Sequence, residues 1–336
     1  MQRYIDISPL SMEDKVVLVC NLIDFFDLTK NRKYREFLEI PSQNIMPLSV
    51  LDFCNYQEKF ESSLVSKSHD HILNIVQKME RKNYLRHAGQ TGAFNFGLEK
   101  CYYTHKEVTN IQRRGNLFLA EILGFDFLVW QTKPLIVQLV GRKENGDIHC
   151  GTGFLCTKDV IITCGHNIKD MKLDQKQTVC AQEVTILESE VHSTIDVGYI
   201  RISEKFKYTQ GLAFLEPKIL NEILIMGFPK IPQTKEPVLI SQKGEINGFI
   251  ESFDGNKYLL YSTITRPGNS GSPIFSKQGY VVGMAARDFY NNKDKSEDAD
   301  VRFFAGIPTS IIIQAIKDLN SDIKLPYEDF KMDKVY

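Results

Sequence analysis

The sequence predicts an α+β multidomain protein: an α-helical N-terminal domain, then an all-β domain of double-barrel type that ends in a C-terminal helix. Three observations predict it. Apolar residues recur at helical spacing through residues 1–125. From Pro134 onward the pattern becomes short β-branched runs separated by Gly, Asn, Asp and Lys turns. Residues 310–319 return to an amphipathic helical period before a short charged end. With 336 residues the chain exceeds one average domain, and a 43% hydrophobic content can fill two cores.

The elements follow in order. Ser11 is placed to cap a helix with Glu13 and Asp14 in its first turn and Val16, Val17, Val19, Cys20, Ile23 and Phe26 as apolar positions. Ser68 with Asp70 opens another, its stripe formed by Ile72, Ile75, Val76 and Met79, with Lys78, Arg81 and Lys82 on the other side. A leucine, aromatic residues and the Gly-punctuated stretch 92–97 come next. An amphipathic helix running into such a ribbon resembles the third helix and wing of a winged-helix unit. Residues 131–134 (Gln-Thr-Lys-Pro) read as a junction, so the expected division is a helical module over 1–125, a linker over 126–133, an all-β domain over 134–322 and a loosely packed charged tail over 323–336.

The chemistry concentrates in three segments. Gly268-Asn269-Ser270-Gly271-Ser272-Pro273 lies between strand-like runs, and a serine held between glycines on a tight turn presents both its hydroxyl and its backbone N–H. Upstream, Thr163-Cys164-Gly165-His166-Asn167 follows an apolar strand, and Ile195-Asp196-Val197-Gly198 precedes another. Each is ordinary alone: Ser between glycines makes turns, and a His after a strand is commonly structural. Together they give the chain order His, Asp, Ser, the order of chymotrypsin-type rather than subtilisin-type or α/β-hydrolase triads.

With Gly151-Thr152-Gly153-Phe154, 225–229 (Ile-Met-Gly-Phe-Pro), 279–283 (Gly-Tyr-Val-Val-Gly) and 304–308 (Phe-Ala-Gly-Ile-Pro), residues 134–319 resemble trypsin-like serine peptidases, closest to the HtrA-type and glutamyl-endopeptidase-type bacterial branches. The resemblance implies a serine endopeptidase acting on protein substrates through an acyl-enzyme. Ser270 is then the nucleophile, His166 the base, Asp196 its orienter, and the N–H groups of Gly268 and Ser270 the oxyanion hole, with Pro267 unable to add a donor. It places the primary pocket around Ile264, Thr265, Arg266, Ala285, Ala286 and Arg287. No aspartate stands at the pocket base, and Ala285 occupies the place of the glutamyl-endopeptidase histidine. Small or aliphatic side chains therefore fit best, unless Arg266 or Arg287 turns inward to favour acids. Asn269 replaces the aspartate that receives a new N-terminal ammonium in secreted trypsins, so control is expected through loops or the N-terminal module. Residues 291–300 are either a pocket-bordering loop or, on the simpler reading, a solvated surface loop.

Composition sets the remaining limits. The formal net charge of −1 implies neither a polyanion nor a membrane partner overall. The seven cysteines are odd in number without a framework spacing, and Asn167 stands where a secreted relative would bridge to the Cys150 position. With no signal-like start, a reduced cytoplasmic protein is expected. His149, Cys150, Cys156, Cys164 and His192 match no zinc spacing, so no metal or cofactor is expected. Residues 67–114 carry nine Lys/Arg against four acids, which suits nucleic acid, a protein partner or a plain solvated face. Asp70 and Glu80 interrupt the basic run, which favours a regulatory protein partner over nucleic acid. No PDZ-like segment is read, and family analogy suggests signal-gated proteolysis as in bacterial anti-phage defence. The alternative is a nucleic-acid- or protein-binding regulator whose barrel is secondary or autoprocessing.

Overall fold

The computed structural model describes residues 9–41, 46–59, 69–92, 97–206, 212–234, 237–289 and 302–330. Ser68, most of the 92–97 ribbon and the 291–300 loop lie outside them. The chain divides into two compact units, the first comprising residues 1–108 with 121–123, the second 109–120 with 124–336.

The first unit holds α1 (Met12–Phe25), α2 (Asn31–Phe37), α3 (Val50–Lys59), α4 (His69–Arg81) and an antiparallel pair, β1 (Leu85–Gln90) and β2 (Lys100–Thr104). Ser11 caps α1 as its position suggests, its Oγ accepting from Asp14 N at 3.0 Å. The helices converge on an aromatic centre: Phe25 packs edge-on against Phe53 at 5.3 Å and at a tilt against Tyr34 at 4.8 Å. Helix α4 buries Ile72, Ile75, Val76 and Met79 and leaves Lys78, Arg81 and Lys82 exposed. It ends where Asn83 takes a left-handed φ of 60°. Helices followed by a two-stranded ribbon are what this unit contains.

The second unit begins with α5 (Asn110–Arg114), the first turn of α6 (Leu117–Leu123) and α7 (Phe125–Thr132). The stretch 126–133, expected as a linker, is thus mostly helix. Phe125, Phe127 and Leu128 on α7 are buried, and that apolar face outweighs the turn-like Gln-Thr-Lys-Pro composition behind it.

Seven strands form the first sheet: β3 (Ile136–Arg142), β4 (Ile148–Leu155), β5 (Val160–Thr163), β6 (Lys172–Leu173), β7 (Lys176–Val179), β8 (Gln182–Val191) and β9 (Gly198–Ile202), in the order β6-β3-β4-β5-β9-β8-β7. Helix α8 (Gly165–Lys169) leaves directly after β5. The sheet is a half-barrel rather than a closed one. Its open side is drawn together by the buried Gln177, whose amide accepts from Val140 N at 3.0 Å and donates to Val140 O at 2.9 Å. The side-chain amide here adds to the backbone bond from Asp174 N to Val140 O at 3.0 Å. Val137, Leu139, Leu155, Ile161 and Ile200 fill the interior.

The second set closes into a six-stranded barrel, β10-β11-β12-β15-β14-β13. Its strands are β10 (Glu222–Gly227), β11 (Ile240–Glu251), β12 (Lys257–Tyr261), β13 (Pro273–Ser276), β14 (Val281–Phe289) and β15 (Phe303–Pro308), and α9 (Thr309–Leu319) follows. Ile223, Ile225, Leu259, Ile274 and Val282 meet inside. Closure removes the sheet edges that would otherwise need protection.

Residues 323–330 differ from the loose tail expected over 323–336, whose last six residues lie outside the described ones. Ile323 and Glu328 are buried. The Glu328 carboxylate accepts from Thr109 Oγ1 at 2.5 Å and from Tyr280 OH at 3.2 Å, while Glu328 N donates to Phe214 O at 2.8 Å. A charge-rich composition hid one buried anchor. Glu328→Ala should therefore lower the unfolding free energy by about 1–3 kcal/mol, because two buried hydroxyls lose their acceptor. Glu328→Gln, which keeps an acceptor, should cost less; urea denaturation of both variants checks the order.

Candidate active site

The cleft sits entirely within the second unit, where three connections meet. His166 lies on α8 directly after β5, Asp196 in the turn between β8 and β9, and Ser270 in the turn between β12 and β13. Gly165 allows the first approach, since a Cβ there would stand 2.6 Å from Val191 Cγ1 and 3.2 Å from Asp196 Oδ1.

Asp196 grips His166 twice. Its Oδ2 is 2.8 Å from His166 Nδ1, and its Oδ1 accepts from the His166 backbone N at 2.8 Å. Both side chains are about one-third exposed, at 36% and 33%. Burial alone would disfavour an imidazolium, yet the Asp196 hydrogen bond and charge, with Asp170 further off, outweigh it and raise the His166 pKa above 6.5. His192 shapes the loop that carries Asp196, its Nδ1 accepting from Ile195 N at 3.0 Å and from Thr194 N at 3.3 Å.

Ser270 lines the same cleft as His166. Its Oγ donates to Ala286 O at 3.3 Å, a long contact, and makes no hydrogen bond to His166 among the described residues. Substrate-free triads commonly show such loose geometry. The turn itself is tightly fixed. Gly268 has φ +99° and Gly271 φ +89°, and a Cβ would stand 2.4 Å from Phe228 O at the first and 1.9 Å from Thr152 O at the second. Pro267 O accepts from Lys230 N at 2.9 Å. A trans peptide points its N–H away from its carbonyl, so that bond turns Gly268 N–H to the opposite side. Likewise Asn269 O accepts from Ser272 N at 2.9 Å, which turns Ser270 N–H away from it. Neither Gly268 N nor Ser270 N has an acceptor among the described residues, and both residues border the cleft. Two free donors beside a hydroxyl can stabilise a developing oxyanion.

The cleft has a volume of about 520 Å³. Of the residues expected in the pocket, Thr265, Arg266, Ala285, Ala286 and Arg287 line it. Ile264 does not: it is 54% exposed and stands outside the lining. Thr265 Oγ1 lies 3.1 Å from Tyr261 OH, and the Arg287 guanidinium sits over the rings of Tyr258 (5.7 Å) and Phe289 (4.8 Å). Asp288 also lines the cleft, 3.9 Å from Arg302.

Several contributors carry no local signal in the sequence. Thr152, buried on β4, donates from its N to Ser270 O at 3.0 Å and from Oγ1 to Gly268 O at 2.7 Å. Lys230 acts through its backbone, and His149 borders the cleft with a pKa lowered by burial and by Lys143. The one pointer was indirect: Thr152 sits within the Gly-Thr-Gly-Phe segment of the family resemblance. Ser272 is buried in the space that Gly227 leaves open, where a Cβ would meet its Oγ at 1.9 Å. Cys164, His166 and Asp196 place potential ligand atoms within 4.8 Å of one another. The Cys164 thiol, however, donates to Ala285 O at 3.3 Å, and complete burial holds its pKa far above the ordinary range, against thiolate formation. All seven cysteines are unbridged. Among the described residues no helix is long and apolar enough to cross a membrane.

Residues 151–284 match the family model described as "Trypsin-like peptidase domain". Among solved structures, the chain is similar to the active form of the Rv3671c protease from M. tuberculosis at 14% identity, covering 59% of this chain and 86% of that one with a TM-score of 0.47. It is also similar to the serine endoprotease from Yersinia pestis at 17% identity, covering 59% and 67% with a TM-score of 0.46. The HtrA-type protease AlgW with tripeptide follows at 14% identity, covering 57% and 62% with a TM-score of 0.45.

The His166–Asp196 pair sets a pH signature. If His166 must be neutral to accept a proton, turnover should fall on the acid side with a midpoint above 6.5. Asp196→Asn should remove the charge that raises this pKa, move the midpoint down, and lower kcat by about 10⁴-fold through the wrong imidazole tautomer. A pH–rate profile of both proteins, with circular dichroism to confirm folding, checks this.

Proposed function

We propose, from the premise that this chain carries a trypsin-like serine peptidase domain, that it is a cytosolic endopeptidase in which His166, Asp196 and Ser270 form the reacting triad. The observation that carries the reading is the 2.8 Å His166–Asp196 contact in one cleft with a glycine-flanked Ser270. Ser270 Oγ attacks the carbonyl carbon of the scissile peptide while its proton passes to His166 Nε2. Asp196 keeps the other imidazole proton on Nδ1 and stabilises the imidazolium. Gly268 and Ser270 N–H groups receive the oxyanion. On collapse His166 protonates the leaving amine. A water molecule activated by the same base then hydrolyses the acyl-enzyme and restores the Ser270 hydroxyl.

The side chain preceding the scissile bond lodges against Thr265, Ala285 and Ala286, which suits small or aliphatic groups. Two contacts support this choice: Arg287 is held over aromatic rings, and Asp288 faces Arg302. Control runs through the N-terminal winged-helix-like module. Asn269, buried and uncharged, offers no charge for a newly cut ammonium to pair with, which supports control from elsewhere. Family analogy supports signal-gated proteolysis, of the kind found in bacterial anti-phage defence, as the setting.

A second reading, nucleic-acid binding by the first unit, draws on one feature. A polar cleft of about 630 Å³ there is lined by Lys82, Asn83, Leu85, Arg86, His105 and Lys106. Lys106 is already paired with Glu121 at 2.5 Å, which weakens the case for phosphate.

A fluorophosphonate probe should label the full chain at Ser270, and Ser270→Ala should abolish the labelling. His166→Ala should slow it by orders of magnitude. A chain that stays unlabelled with nucleic acid or candidate protein activators present, yet binds DNA in a salt-dependent manner, would favour the second reading.

A further inference from the structure

We infer that Asn167, the residue after the proposed base, is a positioning residue that fixes the nucleophile by holding its carbonyl; the inference rests on the triad reading above. Asn167 is 3% exposed and stands on α8 next to His166. Its Nδ2 lies 2.8 Å from Ser270 O, 2.9 Å from Thr163 Oγ1 and 3.4 Å from Thr152 O. An amide nitrogen has two protons, and the two shortest contacts take them. Thr163 Oγ1 donates its own proton to Thr152 O at 2.7 Å, so it meets Asn167 as an acceptor. That fixes which end of the amide faces Ser270.

The grip on the turn is double. Ser270 O accepts from Asn167 Nδ2 and from Thr152 N at 3.0 Å, which occupies both of its lone pairs. Thr152 Oγ1 holds Gly268 O at 2.7 Å and accepts from Phe228 N at 2.9 Å. Gly151 makes room for the amide, since a Cβ there would lie 2.5 Å from Asn167 Oδ1. Base and nucleophile are therefore linked through a single peptide step: His166 carries the imidazole, and its neighbour carries the clamp on Ser270. A hydrogen-bonded side chain thus fixes the segment after the base. The effect of the clamp is on orientation and so belongs to kcat, not to substrate affinity.

Four full-length variants test this: Asn167→Leu and Asn167→Asp, which remove the donor at similar size, and Thr163→Val with Thr163→Ser, which remove or keep the hydroxyl that aims it. On a peptide ester, both Asn167 variants should lose about 10- to 100-fold in kcat with KM changed by less than about twofold. Thr163→Val should lose less, and Thr163→Ser should recover most of that loss. Hydrogen exchange supplies a readout free of activity: the Gly271 amide, bonded to Ala285 O at 2.8 Å, should exchange faster in Asn167→Leu while β5 amides stay protected. Retained kcat in a folded Asn167→Leu, a rise in KM alone, or equal losses for Thr163→Ser and Thr163→Val would overturn the inference. If native protein resists fluorophosphonate under every condition, the triad reading fails. The exchange rates then still decide whether Asn167 clamps the turn. Should Asn167→Leu fail to fold, the Thr163 pair decides.

Discussion

The site depends on a seam in which β4 of the half-barrel holds the 268–271 turn of the closed barrel. Thr152 holds the turn with its backbone N–H and its hydroxyl, while its carbonyl accepts from Thr163 Oγ1 and lies 1.9 Å from where a Gly271 Cβ would be, which only glycine allows. Thr152 is fully buried, so breaking any one of these hydrogen bonds would leave a desolvated polar group unpaired. With all four carbonyls of the 267–270 stretch engaged, by Lys230 N, Thr152 and Ser272 N, the Gly268 and Ser270 amides are turned toward the cleft. The backbone is prepared before any substrate arrives, which is the condition under which hydrogen-bond donors stabilise a transition state most.

The same seam explains the division between rigid and adjustable parts. His166 and Asp196 are one-third exposed and can relax, and the 3.3 Å Ser270–Ala286 contact is easily exchanged for one to His166. The surrounding scaffold is otherwise fully buried: Thr152, Thr163 and Cys164 show no exposure. Burial also keeps the Cys164 thiol protonated beside the His166–Asp196 pair of the proposed triad. The proposed substrate pocket lies at the rim, where Arg266 and Arg287 are exposed and Ala285 and Ala286 line the cleft.

Much of this was legible in the sequence because the chemistry demands particular residue types in tight local settings. A nucleophile turn needs glycines at positive φ, and Gly268 and Gly271 have them. Helix α4 and strand β5 were readable from period and β-branching alone. What escaped depends on partners distant in sequence. In the sequence Asn167 is distinguished only by standing where a cysteine is expected, since nothing local says that its amide meets Ser270 O. Gln177 and Glu328 resemble ordinary polar residues until the fold places them against Val140, Thr109 and Tyr280. Ile264 lies outside the cleft lining, and because the residues after β12 leave strand geometry, no period tells which way a side chain points. The 126–133 stretch reads as a linker because its turn-forming end masks the buried aromatic residues before it.

The central claim is that the oxyanion donors are set by the scaffold before substrate binds. A crystal structure of the fluorophosphonate-modified protein tests it most directly. The account predicts one phosphonyl oxygen within about 2.7–3.1 Å of both Gly268 N and Ser270 N, with Pro267 O still on Lys230 N and Ser270 O still on Thr152 N and Asn167 Nδ2. A reversed 267–268 peptide, or a turn that forms those contacts only after rearranging, would contradict it.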